Sequence, residues 1–169
     1  RLGEATIELI RAAACNYWAQ GVDGLYLSNW FGNWPYGPSF YEKLRELPYP
    51  EVMAPKDKYY HVPTETCRYP KPVTEPGITM ELPARLELNK TTSVRFAISD
   101  DLPRWDMVAR LYEVLLRIRI MNITETDRFR FRLNGVDLPD ETLRIINQMY
   151  RMKAPRYRTG SGYWFIFRL

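Results

Sequence analysis

The sequence predicts a mixed α+β chain that begins with an α/β unit and ends with an antiparallel β-sandwich, which we expect to be incomplete. Residues 2–20 carry apolar side chains at helical spacing. Val22 to Leu27 follows as a short apolar run without alternation, as expected for a strand covered on both faces. From about Leu86 the pattern changes to alternation with a period of two, which is typical of antiparallel strands.

The start of the chain is organised by local signals. Gly21 is predicted to end the first helix. A loop with four aromatic residues and several Gly and Pro breakers follows the predicted strand. Ser39 is then a candidate N-cap for a helix over Phe40 to Leu47, with Glu42 at the capping-box position, and a further helical turn is predicted around Glu51 to Ala54.

The Pro-rich residues 59–82 are predicted to form a stiff, extended linker that separates residues 1–58 from residues 83–169. In the second part, strands are predicted where apolar and polar residues alternate, at 93–98, within 111–121, at 128–133 and at 163–169. Asn134-Gly135 is the strongest short hairpin signal. Residues 141–152 are expected to be a short helix or an irregular crossover.

Composition limits the classes of function. The formal net charge is +4 without any block of like charges, so no nucleic-acid partner is expected. No apolar run approaches the roughly 20 residues that span a bilayer. No cofactor or metal is expected, because no phosphate-binding loop, catalytic Ser-His-Asp set or zinc motif is present. Cys15 and Cys67 are either buried free thiols or a disulfide that ties the linker to the first helix.

The aromatic loop is the best candidate for a binding site. Trp and Tyr rings stack on the C–H faces of sugars, while amides pair with sugar hydroxyls. The candidate substrate-binding residues are Asn29, Trp30, Trp34 and Tyr36. The alternative is that these rings only bury apolar area against neighbouring structure.

The acidic residues do not predict a catalytic pair. Asp23 is expected to be structural, Glu42 and Glu46 to lie on a solvated helix face, and Asp100-Asp101 to form a turn. Glycoside hydrolysis needs two carboxyl groups flanking one bond, and no such pair can be argued, so no catalytic residue is assigned. A row of arginines either meets an anionic partner, such as an acidic polysaccharide or another domain, or simply covers the sheet: Arg117, Arg119, Arg130, Arg132 and Arg168.

Five segments of the chain carry a resemblance to a known family. Residues 11–17 (RAAACNY) and 21–30 (GVDGLYLSNW), with 41–47 (YEKLREL) and 56–58 (KDK), resemble the last helix–strand unit and the exit of glycoside-hydrolase-like TIM-barrel proteins. Residues 132–136 (RLNGV), within the alternating segment, are similar to the jelly-roll-like β-sandwich domains that follow such barrels. The chain starts within a helical pattern and ends within a strand pattern, so we expect an excised segment of a longer protein.

The resemblance implies that residues 1–58 are the end of a (β/α)8 barrel and residues 83–169 an accessory sandwich. It implies a carbohydrate partner, contact with the remainder of the parent barrel, and an extracellular or periplasmic parent protein. It also implies that the chain is inactive alone, because the acid and nucleophile come from earlier strands. Trp30 matches the place where many such barrels carry a sugar-stacking ring. Two other hypotheses stay open, a non-enzymatic glycan- or protein-binding module and an independent small α+β domain.

Overall fold

A computed structural model describes residues 6–27, 30, 38–62, 82–150 and 160–169. These residues form a mixed α+β structure and fall into two compact units. The helical unit comprises the described residues up to 62 together with 82–110, and the sheet unit comprises the described residues from 111 onwards. The predicted boundaries at residues 58 and 83 are not tested by this division, and they stay a prediction.

Helix α1, Ile7–Ala19, confirms the first predicted helix. The side chain of Thr6 caps it by accepting a hydrogen bond from the backbone N–H of Leu9 at 3.4 Å. The helix ends at Gln20, and Gly21 follows with φ 81°. Glycine adopts this left-handed conformation without the steric strain that a Cβ would cause, which explains why the helix stops there.

Helices α2 (Pro38–Glu46) and α3 (Pro50–Met53) lie within two residues of the predicted helical turns. Because α2 begins at Pro38, Ser39 is a helical residue and not the predicted N-cap. They pack with α1 around one cluster of buried side chains, and Met53 at its centre is completely inaccessible to solvent. The indole N–H of Trp18 donates a hydrogen bond to the carbonyl of Leu47 at 2.8 Å, which fixes α1 to the end of α2. The cluster consists of Ile10, Ala14, Cys15, Trp30, Phe40, Leu47 and Met53.

The strand predicted at Val22–Leu27 is not formed. The segment has irregular structure, in which Leu25 and Leu27 pack against the helical core while Tyr26 between them is 92% exposed. The side chains therefore alternate as in a strand. The ladder is missing because a strand is defined by a hydrogen-bonded neighbour, and none of the described residues pairs with this segment.

The strand predicted at 93–98 is likewise absent, and residues 90–101 have no regular structure. Phe96 and Ile98, expected to face a core, are 48% and 40% exposed. Polar contacts hold this segment to the helices instead, including a hydrogen bond of 3.0 Å from the amide of Asn16 to the carbonyl of Ala97. Asp101 caps helix α4 (Leu102–Met107) by accepting a hydrogen bond from the backbone of Arg104 at 3.2 Å.

The sheet unit contains strands β1 (Leu115–Met121), β2 (Arg132–Leu133), β3 (Val136–Asp137), β4 (Leu143–Tyr150) and β5 (Gly160–Arg168). Three of them form an antiparallel sheet of order β1-β5-β4, and β2 and β3 form a short hairpin. The antiparallel prediction is confirmed. In the described part of the chain the second layer is limited to this hairpin and the segment before it, so a complete sandwich is not observed.

One face of the sheet is covered by aromatic packing. Phe131 lies 5.1 Å from both Phe165 and Phe167, measured between ring centroids, and Phe129 lies 5.5 Å from Phe165. Phe167 is only 1% exposed. The segment leading into the hairpin therefore closes the core of this unit.

The hairpin turn confirms the Asn134-Gly135 prediction. Both residues have positive φ, at 51° and 84°, which is the type I′ geometry that matches the twist of the flanking strands. The expectation for residues 141–152 was wrong, because a 3-10 turn at Asp140–Thr142 leads directly into β4. Ile145 and Ile146 are adjacent and serve opposite faces, so the period of two was hidden in the sequence.

Candidate functional site

Trp30, the predicted sugar-stacking residue, is a core residue of the helical unit. Its side chain is 2% exposed, and its ring centroid lies 5.4 Å from that of Phe40. A ring enclosed in this way offers no free face to a sugar. Its Nε1 is buried without a hydrogen-bond partner among the described residues. Asn29, Trp34 and Tyr36 lie outside the described residues, so the predicted sugar site stays a prediction.

Glu46 forms the strongest electrostatic cluster of the helical unit, which corrects its expected place on a solvated face. The residue is 5% exposed, because α2 turns Phe40, Glu46 and the following Leu47 towards the core. Arg11 on α1 donates to both carboxylate oxygens, with Nε–Oε2 at 2.6 Å and Nη2–Oε1 at 3.2 Å. Lys56 makes a second ion pair at 2.5 Å from Nζ to Oε1. Glu42, by contrast, is exposed as expected.

This cluster borders an open cavity of about 670 Å³, whose lining includes both Glu42 and Glu46. The hydrogen bonds from Arg11 lower the pKa of Glu46 below its ordinary range, against the opposing effect of burial. A general acid for glycoside hydrolysis needs a raised pKa, so Glu46 is unsuited to that role. The carboxylate acts as a structural tie between α1, α2 and the segment after α3.

A second buried pair joins Lys58 to Asp100, with 2.8 Å between Nζ and Oδ1. The Lys58 side chain is 2% exposed, and it also donates to the carbonyls of Ala54 and Lys56 at 2.8 and 3.1 Å. Three acceptors match the three donors of an ammonium group. Lys58 is therefore fully engaged and is not a nucleophile or a ligand for an anion.

Two further groups near this pair, Tyr60 and Cys15, are inert because burial raises the pKa of each. The Tyr60 hydroxyl lies 2.9 Å from that of Ser99, and burial raises the pKa of Tyr60. Cys15 is a buried free thiol whose pKa is raised mainly by burial. Free-thiol chemistry requires a lowered pKa and access, so Cys15 has a packing role. Its predicted alternative partner, Cys67, lies outside the described residues.

The face of the three-stranded sheet opposite the phenylalanine core is a more promising site. The guanidinium carbons of Arg117 and Arg119 lie 5.1 and 5.8 Å from the ring centroid of Trp164, within cation–π range. The register places Arg144 and Arg168 on the same face, because β5 alternates Trp164, Ile166 and Arg168 on this side. We call this surface the arginine–tryptophan face. Its residues include Arg117, Arg119, Arg144, Arg168, Trp164 and Ile166, together with the apolar Leu115, Met121 and Ile146.

The predicted arginine row is therefore divided by the structure. Arg117, Arg119 and Arg168 share the arginine–tryptophan face, whereas Arg130 and Arg132 lie at the hairpin beside Asp137. Arg130 donates from Nε to Asp137 Oδ1 at 2.8 Å. Sequence reasoning missed Arg144 because β4 was not predicted. It also missed Trp164, although its position between Tyr163 and Phe165 marks it as outward-facing.

No helix in the described ranges has the length and apolar character to cross a membrane. No group of three or more His, Cys, Asp or Glu residues is placed to hold a metal ion in the part of the chain that the structure describes. Comparison of the sequence with protein-family models and with curated proteins, and of the fold with solved structures, finds no match.

Proposed function

We propose that this chain is part of a carbohydrate-active, glycosidase-like protein. Residues 1–58 would form the last helix–strand unit of a (β/α)8 barrel, and residues 83–169 an accessory β-sandwich. The observation that carries the proposal is the course of the chain between α1 and α2. After Gly21 the segment 22–27 covers the helical core with alternate leucines, and Trp30 follows, buried against Phe40.

The order of these elements supports the proposal of one α/β-barrel unit. A helix leads into a short segment whose leucines pack on the helical core, and another helix begins at Pro38. The backbone of residues 22–27 has no ladder partner among the described residues, so its hydrogen-bonding groups can pair with strands of a parent protein. In such barrels ligands bind beyond the carboxyl ends of the strands, and the loop predicted from the sequence comes directly after this segment.

The proposed role of this region is binding. Asn29, Trp34 and Tyr36 contact the saccharide, and the buried Trp30 anchors the base of their loop. The acid–base work is assigned to other parts of the parent protein, since the buried Glu46 is locked by Arg11 and Lys56.

The test measures binding of neutral and acidic polysaccharides to the chain and to a longer protein that contains it. Trp34→Ala and Tyr36→Ala should each weaken binding by about tenfold, since a base or ring stacked on an aromatic side chain contributes about 1–3 kcal/mol. Trp30→Ala is a poor test, because losing a buried Trp costs about 3–5 kcal/mol of stability.

Tyr112→Ala is the matched control, because Tyr112 is an aromatic residue that is 87% exposed in the sheet unit. Its affinity for saccharide should be unchanged. Equal affinities for the unaltered protein and the variants Trp34→Ala, Tyr36→Ala and Tyr112→Ala would contradict the proposal. It would also be contradicted if neither the chain nor the longer protein bound any saccharide.

The second candidate function is a non-enzymatic glycan- or protein-binding module. The arginine–tryptophan face favours it, because the guanidinium groups of Arg117 and Arg119 beside Trp164 form a surface suited to binding that includes no catalytic group. Saccharide binding without any hydrolysis in the longer protein would support this alternative.

A further inference from the structure

We propose that Asn89 and Asn122 are acceptor sites for N-linked glycans when the protein passes through a eukaryotic secretory pathway. The sequence reads NKT at residues 89–91 and NIT at residues 122–124. Both match the acceptor pattern, which is asparagine, any residue except proline, and then serine or threonine. The inference does not depend on the proposed saccharide binding, because it uses other segments of the chain.

The modification joins the side-chain amide of asparagine to a sugar. The amide nitrogen Nδ2 forms a bond with the anomeric carbon of an oligosaccharide that is carried on a lipid diphosphate. The bond between that carbon and the diphosphate oxygen breaks, the diphosphate leaves with the electron pair, and the amide nitrogen loses one proton. The attached glycan is bulky and hydrated, so an acceptor asparagine must lie at the surface of the folded chain.

Asn89 meets this requirement in the helical unit. It is exposed and has φ 59°, at a turn in which the backbone N–H of Lys90 donates to the carbonyl of Glu87 at 3.2 Å. Asparagine is enriched among the few non-glycine residues with positive φ, so the turn by itself explains the asparagine. It does not explain the exposed Thr91 two positions later.

Asn122 meets the same requirement in the sheet unit. It is the first residue after β1, and it is exposed with φ 57°. The next residue, Ile123, packs against the core of this unit, while Asn122 stays at the surface. Thr124 is exposed, and its backbone N–H and hydroxyl donate to Asp127 Oδ2 at 2.7 and 3.0 Å. This threonine therefore also has a structural role in the turn that follows.

Asn134 shows what a left-handed turn alone requires. It is exposed and has φ 51°, like the two proposed acceptors, but the residue two positions later is Val136. The three asparagines thus share a backbone conformation and differ in the hydroxyl residue that the acceptor pattern needs. Asn134 is therefore an internal control within the same chain.

A glycan at Asn89 would also shield apolar surface. Leu88, the residue before it, is 90% exposed, and Leu86 is 47% exposed. Neighbouring apolar side chains that face solvent favour association between chains. A hydrated glycan on the adjacent residue covers Leu88, so we expect the glycosylated chain to stay monomeric at higher concentration than the unmodified chain.

The experiment secretes the full chain from eukaryotic cells behind a removable signal peptide. We expect two successive shifts in electrophoretic mobility, both reversed by peptide N-glycosidase, which leaves an aspartate at each modified position. Peptide mass spectrometry should locate these at residues 89 and 122 and find Asn134 unmodified. The same chain made in the cytoplasm of these cells is the control and should show no shift. A secreted chain without glycans, or with a glycan on Asn134, would overturn the proposal.

The hydroxyl residues provide matched variants that leave the asparagines in their turns. Thr91→Val and Thr124→Val should each remove one of the two shifts, because the acceptor pattern loses its hydroxyl. Thr91→Ser and Thr124→Ser keep a hydroxyl and should retain both shifts. A valine variant that keeps both glycans would contradict the assignment of the corresponding site.

The glycosylated and enzymatically deglycosylated chains should have equal melting temperatures, because both acceptors are exposed. A lower melting temperature with the glycans attached would show that they clash with the fold, and it would overturn the surface placement. Light scattering tests the shielding. The Thr91→Val chain should associate at a lower concentration than the Thr91→Ser chain, and adding Leu88→Ser should abolish this difference. Equal association of the two chains would refute the shielding of Leu88.

Discussion

The substitution Glu46→Gln tests the electrostatic core of the helical unit. It removes the negative charge and keeps the size of the side chain, so the Arg11 guanidinium, 11% exposed as a side chain, loses its hydrogen-bonded counter-ion. Removing one partner of a buried ion pair typically costs about 3–5 kcal/mol. We expect about 3 kcal/mol, the lower end of that range, because the amide oxygen of Gln can still accept one hydrogen bond.

Urea unfolding followed by far-ultraviolet circular dichroism measures this loss, since the helices lie in this unit. Glu42→Gln is the control, because Glu42 lies one turn earlier on the same helix and is exposed. It should change the free energy of unfolding by less than about 0.5 kcal/mol. A second check is Arg11→Met combined with Glu46→Leu, which should be less destabilising than the sum of the single changes.

The same carboxylate predicts a dependence on pH. The pKa of Glu46 is lower in the folded chain than in the unfolded chain, where it is about 4.3. Its contribution is therefore fully present above that value and is lost as the pH falls through the folded-state pKa. The difference in stability between the unaltered chain and Glu46→Gln should shrink on acidification. A pH-independent difference, or a loss below about 1 kcal/mol at neutral pH, would refute this reasoning.

Three further outcomes follow from packing and burial. Phe167→Ala should destabilise the sheet unit by about 3–5 kcal/mol, measured by chemical unfolding, and a loss near zero would contradict its place in the core. Gly135→Ala should cost about 1 kcal/mol, because φ is 84° there. Gly24→Ala is the control and should leave the stability nearly unchanged, since a Cβ there meets nothing within 4 Å. Equal melting temperatures for Gly135→Ala and Gly24→Ala would count against the type I′ turn. In a Cys67→Ser chain, Cys15 should react with iodoacetamide only on unfolding, and fast native alkylation would disprove its burial.

Local signals in the sequence accounted for the elements that depend on neighbours a few residues away. The break at Gly21, the helical turns near Ser39 and Pro50, and the turn at Asn134-Gly135 were all predicted within a residue or two. Each follows from backbone conformation or from a local hydrogen bond, so no distant part of the chain is needed to decide it.

The errors have a common origin. Residues 22–27 and 93–98 show apolar patterns suited to strands but lack a partner strand among the described residues, whereas β4 has a weak pattern and an excellent partner in β5. Glu46 looked like a solvated carboxylate because the burial of a charge is decided by the groups that face it, here Arg11 from α1.

The sequence alone thus indicated the first three helices, the reversal at Asn134-Gly135, and the antiparallel strands of the last part of the chain, whereas helix α4 was not predicted. Only the tertiary structure decided which segments pair, that Trp30 lies in a core, and that Arg117 and Arg144 face the same side of a sheet across Ile166. The physical reason is that turns and caps are properties of adjacent residues. Strand pairing, burial and clustering of charge depend on residues that are distant in sequence and meet only after folding.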